Sequence, residues 1–185
     1  MADDHRLTPR PPALLGDQER ALYDAITGGP RARGPQHFAL TAPDGSLRGP
    51  FDAFLLAPAV GAALQELGSA IRYRTALTDR AREIAILLVA ARWDSAFERE
   101  AHEAVAGAAG LDDGVLCALR DEDASALDGE EALVARTVIA LLDGDLDDPQ
   151  WEAAASVLGE AGVFELTALV GYYSTLALQL RVFRV

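Results

Sequence analysis

Four side chains that could take part in chemistry lie in a stretch whose first half is apolar and whose second half is rich in alanine: Glu83, Ser95, Glu98 and His102. Glu98 and His102 are four residues apart, so on a helix they share one face. A histidine held by carboxylates titrates near neutral pH and can both donate and accept a proton. The group is therefore a candidate for proton transfer without a cofactor.

Two predicted helices carry these side chains. The first is apolar and begins at Thr78, a good N-cap, with Asp79 in the first turn, where the helix dipole favours an anion. The second is rich in alanine, begins at Asp94 or Ser95, and ends at Gly110.

The connection between the two helices, around Trp93, is short, so we expect them to pack antiparallel. At about 1.5 Å of rise per residue, Glu83 and His102 lie at similar distances from that turn. We therefore expect Glu83, Glu98 and His102 to face one spot between the helices.

Each of these residues also has a purely structural interpretation. Glu83 could complement the helix N-terminus or pair with Arg80 or Arg82. His102 could form an exposed pair with Glu98 on its own helix, and Ser95 could serve only as an N-cap.

A metal site is not predicted. One histidine and two carboxylates at helical spacing are similar to half of a di-iron motif. The other histidine half is missing, since His37 is the only further candidate.

The pattern resembles the carboxymuconolactone decarboxylase and alkylhydroperoxidase-D-like family. In the peroxidase branch, a glutamate precedes a Cys-x-x-Cys-x-x-x-His motif on such a pair of helices. Glu83 matches that glutamate, Ser95 and Glu98 fall on the two cysteine positions, and His102 matches the histidine. The segments 41–51 and 171–180 are similar to the opening segment and the closing helix of the family.

The resemblance implies an all-α, alkylhydroperoxidase-D-like domain over residues 14–185, preceded by a flexible arm over residues 1–13. It also implies a homotrimer or a trimer-based homohexamer. The implied activity is that of a cofactor-independent lyase (a decarboxylase) or isomerase acting on a small carboxylated or lactone-type substrate. His102, Glu98 and Glu83 would be catalytic, and the substrate would contact Ser95, Trp93, His37 and Arg48.

Two other functions stay open at this point. A non-catalytic oligomer of the same fold could bind a small molecule. A hydroperoxide reductase is disfavoured, because turnover through a disulfide needs two thiols and Cys117 is the only cysteine.

Composition excludes several further classes. The net charge of −13 argues against nucleic acid and anionic membranes as partners. The chain contains no lysine, which excludes a lysine Schiff base and a Walker P-loop. The first residues resemble no secretory signal, so we expect a cytoplasmic protein.

The remaining pattern predicts helices throughout and no convincing β-strand. The last helices are expected at about 149–160 and 163–181, and the second of these is apolar on nearly all sides. A helix of that kind must be buried, and in a small domain we expect another subunit to cover part of it.

Overall fold

The computed structural model describes residues 6–29, 32 and 38–185, so the predicted site residue His37 lies outside the described part of the chain. Within that part the fold is all-α, as predicted, with one isolated β-bridge between Thr41 and Leu47. The helices are α1 (Asp17–Gly28), α2 (Pro50–Phe54), α3 (Pro58–Tyr73), α4 (Asp79–Arg92), α5 (Ala96–Ala108), α6 (Asp113–Arg120), α7 (Gly129–Asp143) and α8 (Asp148–Phe183).

The chain divides into two compact units. One comprises the described residues up to Ala70 together with Leu178–Val185, and the other comprises Ile71–Ala177. The assignment of residues 14–185 to a single domain stays a prediction. The two helices that carry Glu83, Glu98 and His102, α4 and α5, both lie in the second unit.

In the first unit, the N-terminal segment is held by hydrogen bonds from Arg6. Its backbone N–H donates to the carbonyl of Phe183 at 3.0 Å, and its guanidinium donates to the carbonyl of Val182 at 3.1 Å. Further along, the hydroxyl of Tyr23 in α1 donates to the carbonyl of Gly45, which ties the turn at that glycine to the helix.

Helix α4 is the central element of the second unit. It begins as predicted, with the Thr78 side chain accepting a hydrogen bond from the N–H of Ala81 at 3.1 Å. Ten consecutive residues, 81–90, are buried, because α5, α6 and α7 all contact this helix. A helix enclosed on several sides has to be apolar around most of its circumference, which makes the buried Arg82 and Glu83 exceptional.

Helix α5 buries only one face. Its buried residues are Glu98, Ala101, His102 and Ala106, which recur at the three- and four-residue spacing of a helix side. The helix ends at Ala108, two residues before the predicted Gly110, and Ser95 occupies its N-cap without making a side-chain cap hydrogen bond.

Ion pairs connect the helices around this core. Arg80 of α4 pairs with Glu131 of α7 at 2.6 Å, and Arg120 of α6 pairs with Glu103 of α5 at 2.7 Å. Arg80 is therefore engaged away from Glu83, and of the two arginines considered for that glutamate only Arg82 is close to it.

Helix α8 is interrupted at Gly159, where φ is 68° and ψ is 166°. The sequence predicts two helical stretches, at about 149–160 and 163–181, so the break lies slightly earlier in the chain than predicted. In the single chain, one side of the second stretch is buried and another is not: Leu166 and Leu169 are fully buried, whereas Phe164 is 73% exposed. That another subunit covers the exposed side stays a prediction.

Among the described residues, α8 is the one helix long and apolar enough to cross a membrane. One such helix is weak support for a membrane span, since core helices of soluble proteins share its length and composition. The fold is compatible with a soluble protein.

Candidate functional site

Glu83 and His102 form a buried hydrogen bond between α4 and α5. Nδ1 of His102 lies 2.7 Å from Oε2 of Glu83. Glu83 is fully buried and His102 is 6% exposed. An ionised carboxylate only accepts hydrogen bonds, so with Glu83 ionised the proton of the neutral ring sits on Nδ1, and Nε2 is left as the basic nitrogen.

Arg82 lies beside the other oxygen of the same glutamate. Its Nε is 3.6 Å from Oε1 of Glu83, and its guanidinium also pairs with Asp79 at 2.6 Å. Arg82 is buried, whereas the Asp79 side chain is largely exposed. A row of polar groups thus runs from the surface at Asp79 through Arg82 and Glu83 to His102, and Arg82 balances the charge of the buried Glu83.

Glu98 has a different environment from Glu83, although it lies on the same helix as His102. It is 3% exposed, and among the described residues neither of its carboxyl oxygens has a hydrogen-bond partner of good geometry. Burial raises the pKa of Glu98 to about 8, opposed by a smaller effect of the Ser95 hydroxyl. At pH 7 this residue is therefore mainly a neutral acid with a proton to donate.

This contrast assigns different parts to the two glutamates. The sequence left open whether Glu98 orients His102 or acts as an acid and base itself. Glu83 makes the orienting hydrogen bond to the ring, and Glu98 makes none to it. Glu98 is left as a separate group that can exchange a proton.

Ser95 is buried next to this carboxyl group. Its hydroxyl makes no cap hydrogen bond to α5 and has no partner of standard geometry. The interpretation of Ser95 as a side-chain N-cap is therefore wrong. The hydroxyl acts instead on the carboxyl group of Glu98, whose pKa it lowers.

Tyr173 of α8 is a contact that the sequence analysis missed. Its ring meets the ring of His102 edge to face, with centroids 5.3 Å apart and planes at 86°. Tyr172 stacks in the same way on Tyr173, with centroids 5.2 Å apart. The signal available in the sequence was the adjacent tyrosine pair in an otherwise aliphatic helix, which places large rigid rings against the site.

Trp93 and Arg48 are the other residues predicted to bind substrate that the structure describes. Trp93 ends α4 and is half-buried in the turn before α5. Arg48 is exposed and belongs to the first unit. His37 falls outside the described residues, so its role stays a prediction.

The second unit also has a groove that is not lined by the residues of this cluster. It has a volume of about 250 Å³ and lies between α7 and the start of α8, lined by Leu133, Arg136, Thr137, Pro149, Gln150 and Ala153. None of these is a predicted site residue. The candidate site is thus defined by its buried polar groups and not by this groove.

In the part of the chain that the structure describes, no three His, Cys, Asp or Glu side chains are arranged to hold a metal ion. Glu83, Glu98 and His102 share a region of the α4/α5 pair without forming a three-ligand set.

Comparisons with known proteins do not identify the chain. No protein-family model matches it, and no curated protein matches its sequence. The function must therefore be argued from the site itself.

Proposed function

We propose that this protein is a cofactor-independent lyase or isomerase that moves protons on a small carboxylated or lactone-type substrate. The observation that carries the proposal is the buried Glu83–His102 hydrogen bond with the unpartnered acid Glu98 on the same helix as the histidine. One site then contains a base and a separate neutral acid, which are the two groups that an enolisation or decarboxylation needs.

In this mechanism His102 removes or returns a proton through Nε2. Glu83 holds the ring orientation and stabilises the imidazolium that forms, while Arg82 balances the charge of Glu83. Glu98 delivers a proton to the carbon that loses carbon dioxide or to the oxygen of an enolate. Its surroundings are nearly dry, which strengthens these interactions relative to water.

We further propose membership of the carboxymuconolactone decarboxylase and alkylhydroperoxidase-D-like family. The support is the spacing of Glu83, Ser95, Glu98 and His102 on two consecutive helices and the all-α fold. A homo-oligomeric, cytoplasmic enzyme, trimeric or hexameric, is part of the same proposal. The exposed apolar side of α8 supports self-association.

The experiment follows proton transfer directly. Lactones and 3-oxo acids are incubated with the protein in D₂O, and NMR records deuterium incorporation at the carbon next to the carbonyl. We expect catalysed exchange with at least one compound, reduced about 10²–10⁴-fold in His102→Ala and strongly reduced in Glu98→Gln.

Glu103→Gln is the matched control, because Glu103 is a neighbour of His102 on α5 but pairs with Arg120 outside the site. It should exchange at the wild-type rate. Equal rates in wild type and His102→Ala, on a compound that the protein does turn over, would refute the proposed mechanism.

A further inference from the structure

Three arginines of the second unit each bind a glutamate through two atoms on one edge of the guanidinium. Nε and Nη2 donate to the carboxylate together, at 2.6–2.9 Å, in the pairs Arg80 with Glu131, Arg92 with Glu122 and Arg120 with Glu103. The planar guanidinium matches the planar carboxylate in this arrangement, which makes such pairs stronger than single contacts. The three pairs show how an arginine of this unit meets a glutamate when no other carboxylate competes for the same edge.

Arg82 divides the same edge between two carboxylates. Its Nη2 donates to Oδ1 of Asp79 at 2.6 Å, and its Nε lies 3.6 Å from Oε1 of Glu83. That separation is about 0.7 Å longer than an ordinary N–H···O hydrogen bond. In the described part of the chain, neither this Nε nor this Oε1 has a hydrogen-bond partner. Two buried groups of opposite charge therefore face each other across a gap that a small movement would close.

The position of Asp79 explains why the gap stays open. Asp79 lies in the first turn of α4 with its side chain 80% exposed, whereas the side chain of Arg82 is 10% exposed. While Nη2 of Arg82 binds this carboxylate at the surface, the same atom is not free to bind Glu83. Without Asp79, Nε and Nη2 could both bind Glu83, as they bind a glutamate in the other three pairs.

A closed pair of Arg82 and Glu83 would change the hydrogen bond that reaches the histidine. Oε2 of Glu83 lies 2.7 Å from Nδ1 of His102. A carboxylate that shares its charge with a guanidinium through two hydrogen bonds accepts a further one less strongly. Glu83 would then orient the ring of His102 less firmly and would stabilise its imidazolium less than it does with the gap open.

We propose that Asp79 is a positioning residue of this site, which keeps one atom of the Arg82 edge at the surface and so reserves the charge of Glu83 for His102. Among the described residues, Asp79 itself bonds neither Glu83 nor His102, so its effect on the ring passes through Arg82. The effect on catalysis rests on the proposed function, whereas the effect on the ring hydrogen bond does not.

NMR of the histidine rings tests this role without a substrate. The chain has three histidines, so protein that carries ¹⁵N-labelled histidine gives few ring signals, and their loss in His102→Ala identifies those of His102. The wild type should show the Nδ1 proton of His102 far downfield, because it is shared in a short hydrogen bond with a carboxylate. This resonance should move upfield in Asp79→Ala and by a smaller amount in Asp79→Asn, which retains an acceptor for Arg82.

Two further variants separate this effect from a general one. Glu130→Ala removes an acidic side chain from the first turn of α7, where it has the same favourable interaction with a helix dipole, and should leave the His102 signal unchanged. Arg82→Lys keeps the positive charge on a single ammonium and has no edge to divide. In that background, Asp79→Ala should move the signal much less than it does in the wild type.

The rate of deuterium exchange measures the catalytic consequence. On a compound that the wild type exchanges, Asp79→Ala should be about 10-fold slower, whereas His102→Ala should lose about 10²–10⁴-fold because it removes the base itself. Asp79→Glu keeps a carboxylate three residues before Arg82 on the same helix face and should recover most of the rate.

Three results would overturn the proposal. They are a His102 Nδ1 proton that Asp79→Ala leaves at its wild-type position, a shift of equal size in the wild-type and Arg82→Lys backgrounds, and an exchange rate that Asp79→Ala does not change. A protein that exchanges no compound, yet shows the expected ring shifts, would instead refute the proposed function and support the role of Asp79 in placing Arg82.

Discussion

Two glutamates on neighbouring helices show how surroundings decide the role of one residue type. Glu83 is fully buried but lies between an arginine and a histidine, so its charge is compensated. Glu98 is nearly as buried, and in the described part of the chain no cation pairs with it and no group forms a hydrogen bond of good geometry with it. A carboxyl group in such a place retains its proton to higher pH, which costs stability when it ionises and supplies an acid when it does not.

The titration of Glu98 predicts how the stability of the protein depends on pH. Folding raises the pKa of Glu98 from the ordinary 4.5 to about 8, so between these values the folded state binds more protons than the unfolded state. Glu98 therefore favours the folded state most at low pH. Its contribution to the free energy of unfolding is fully present below pH 4.5 and is lost as the pH rises through about 8, at a limiting rate of about 1.4 kcal/mol per pH unit.

Urea unfolding of wild type and Glu98→Gln at pH 5, 6, 7 and 8 measures this pH-dependent contribution of Glu98 to stability. The difference between the two free energies of unfolding isolates Glu98 from every other titrating group. We expect the free energy of unfolding of the variant to rise relative to that of wild type at each step up in pH. Two profiles that run parallel over this range would show that Glu98 ionises in the folded protein as it does in the unfolded chain.

At the scale of helices, glycines in different backbone conformations predict opposite effects of the same substitution. Gly159 interrupts α8 with φ of 68° and ψ of 166°, a conformation that side chains with a Cβ rarely adopt, although the space around it is open. Gly159→Ala should therefore cost about 1–3 kcal/mol through backbone strain alone.

Gly107 is the matched control for that substitution. It lies within α5, also with open space around its Cα, and has no positive φ. Gly107→Ala should stabilise the protein by about 0.5–1 kcal/mol, because alanine loses less conformational freedom in a helix. Chemical denaturation of both variants measures the two changes in the free energy of unfolding. A Gly159→Ala protein that is more stable than wild type would contradict the strain argument.

Local signals explain why much of the fold was predictable. Thr78 is a good N-cap in the sequence, and its side chain does cap α4. Gly159 marks the break in α8 because glycine tolerates the required backbone angles. Ser95 shows the limit of this reasoning, since an N-cap residue type at an N-cap position makes no cap hydrogen bond once its side chain is buried.

At the scale of the whole molecule, helical spacing anticipated the approach of Glu83 to His102, because both lie at similar distances from one short turn. The contribution of Tyr173 was not predictable in this way, since α8 reaches the ring of His102 from 71 residues further along the chain. That another subunit covers part of α8 stays a prediction, with Phe164 73% exposed in the single chain. An apolar helix in a sequence does not indicate whether its partner is the same chain or another one.

The composition of the whole chain gives the last prediction. Reduction of a hydroperoxide to an alcohol and water needs two electrons, which a dithiol supplies as it becomes a disulfide. Cys117 is the single cysteine, and Ser95 and Glu98 stand where the peroxidase branch has its pair. The wild-type protein should therefore reduce cumene hydroperoxide with dihydrolipoamide no faster than background.

A double variant makes this prediction a test of the resemblance as well. Ser95→Cys with Glu98→Cys places a Cys-x-x-Cys pair four residues before His102, beside the buried Glu83–His102 hydrogen bond. If the site is built as in the peroxidase branch, the double variant should gain turnover that depends on the dithiol, and each single variant should gain none. Wild-type turnover that disappears in Cys117→Ser would instead show that the native protein reduces peroxides through its one thiol.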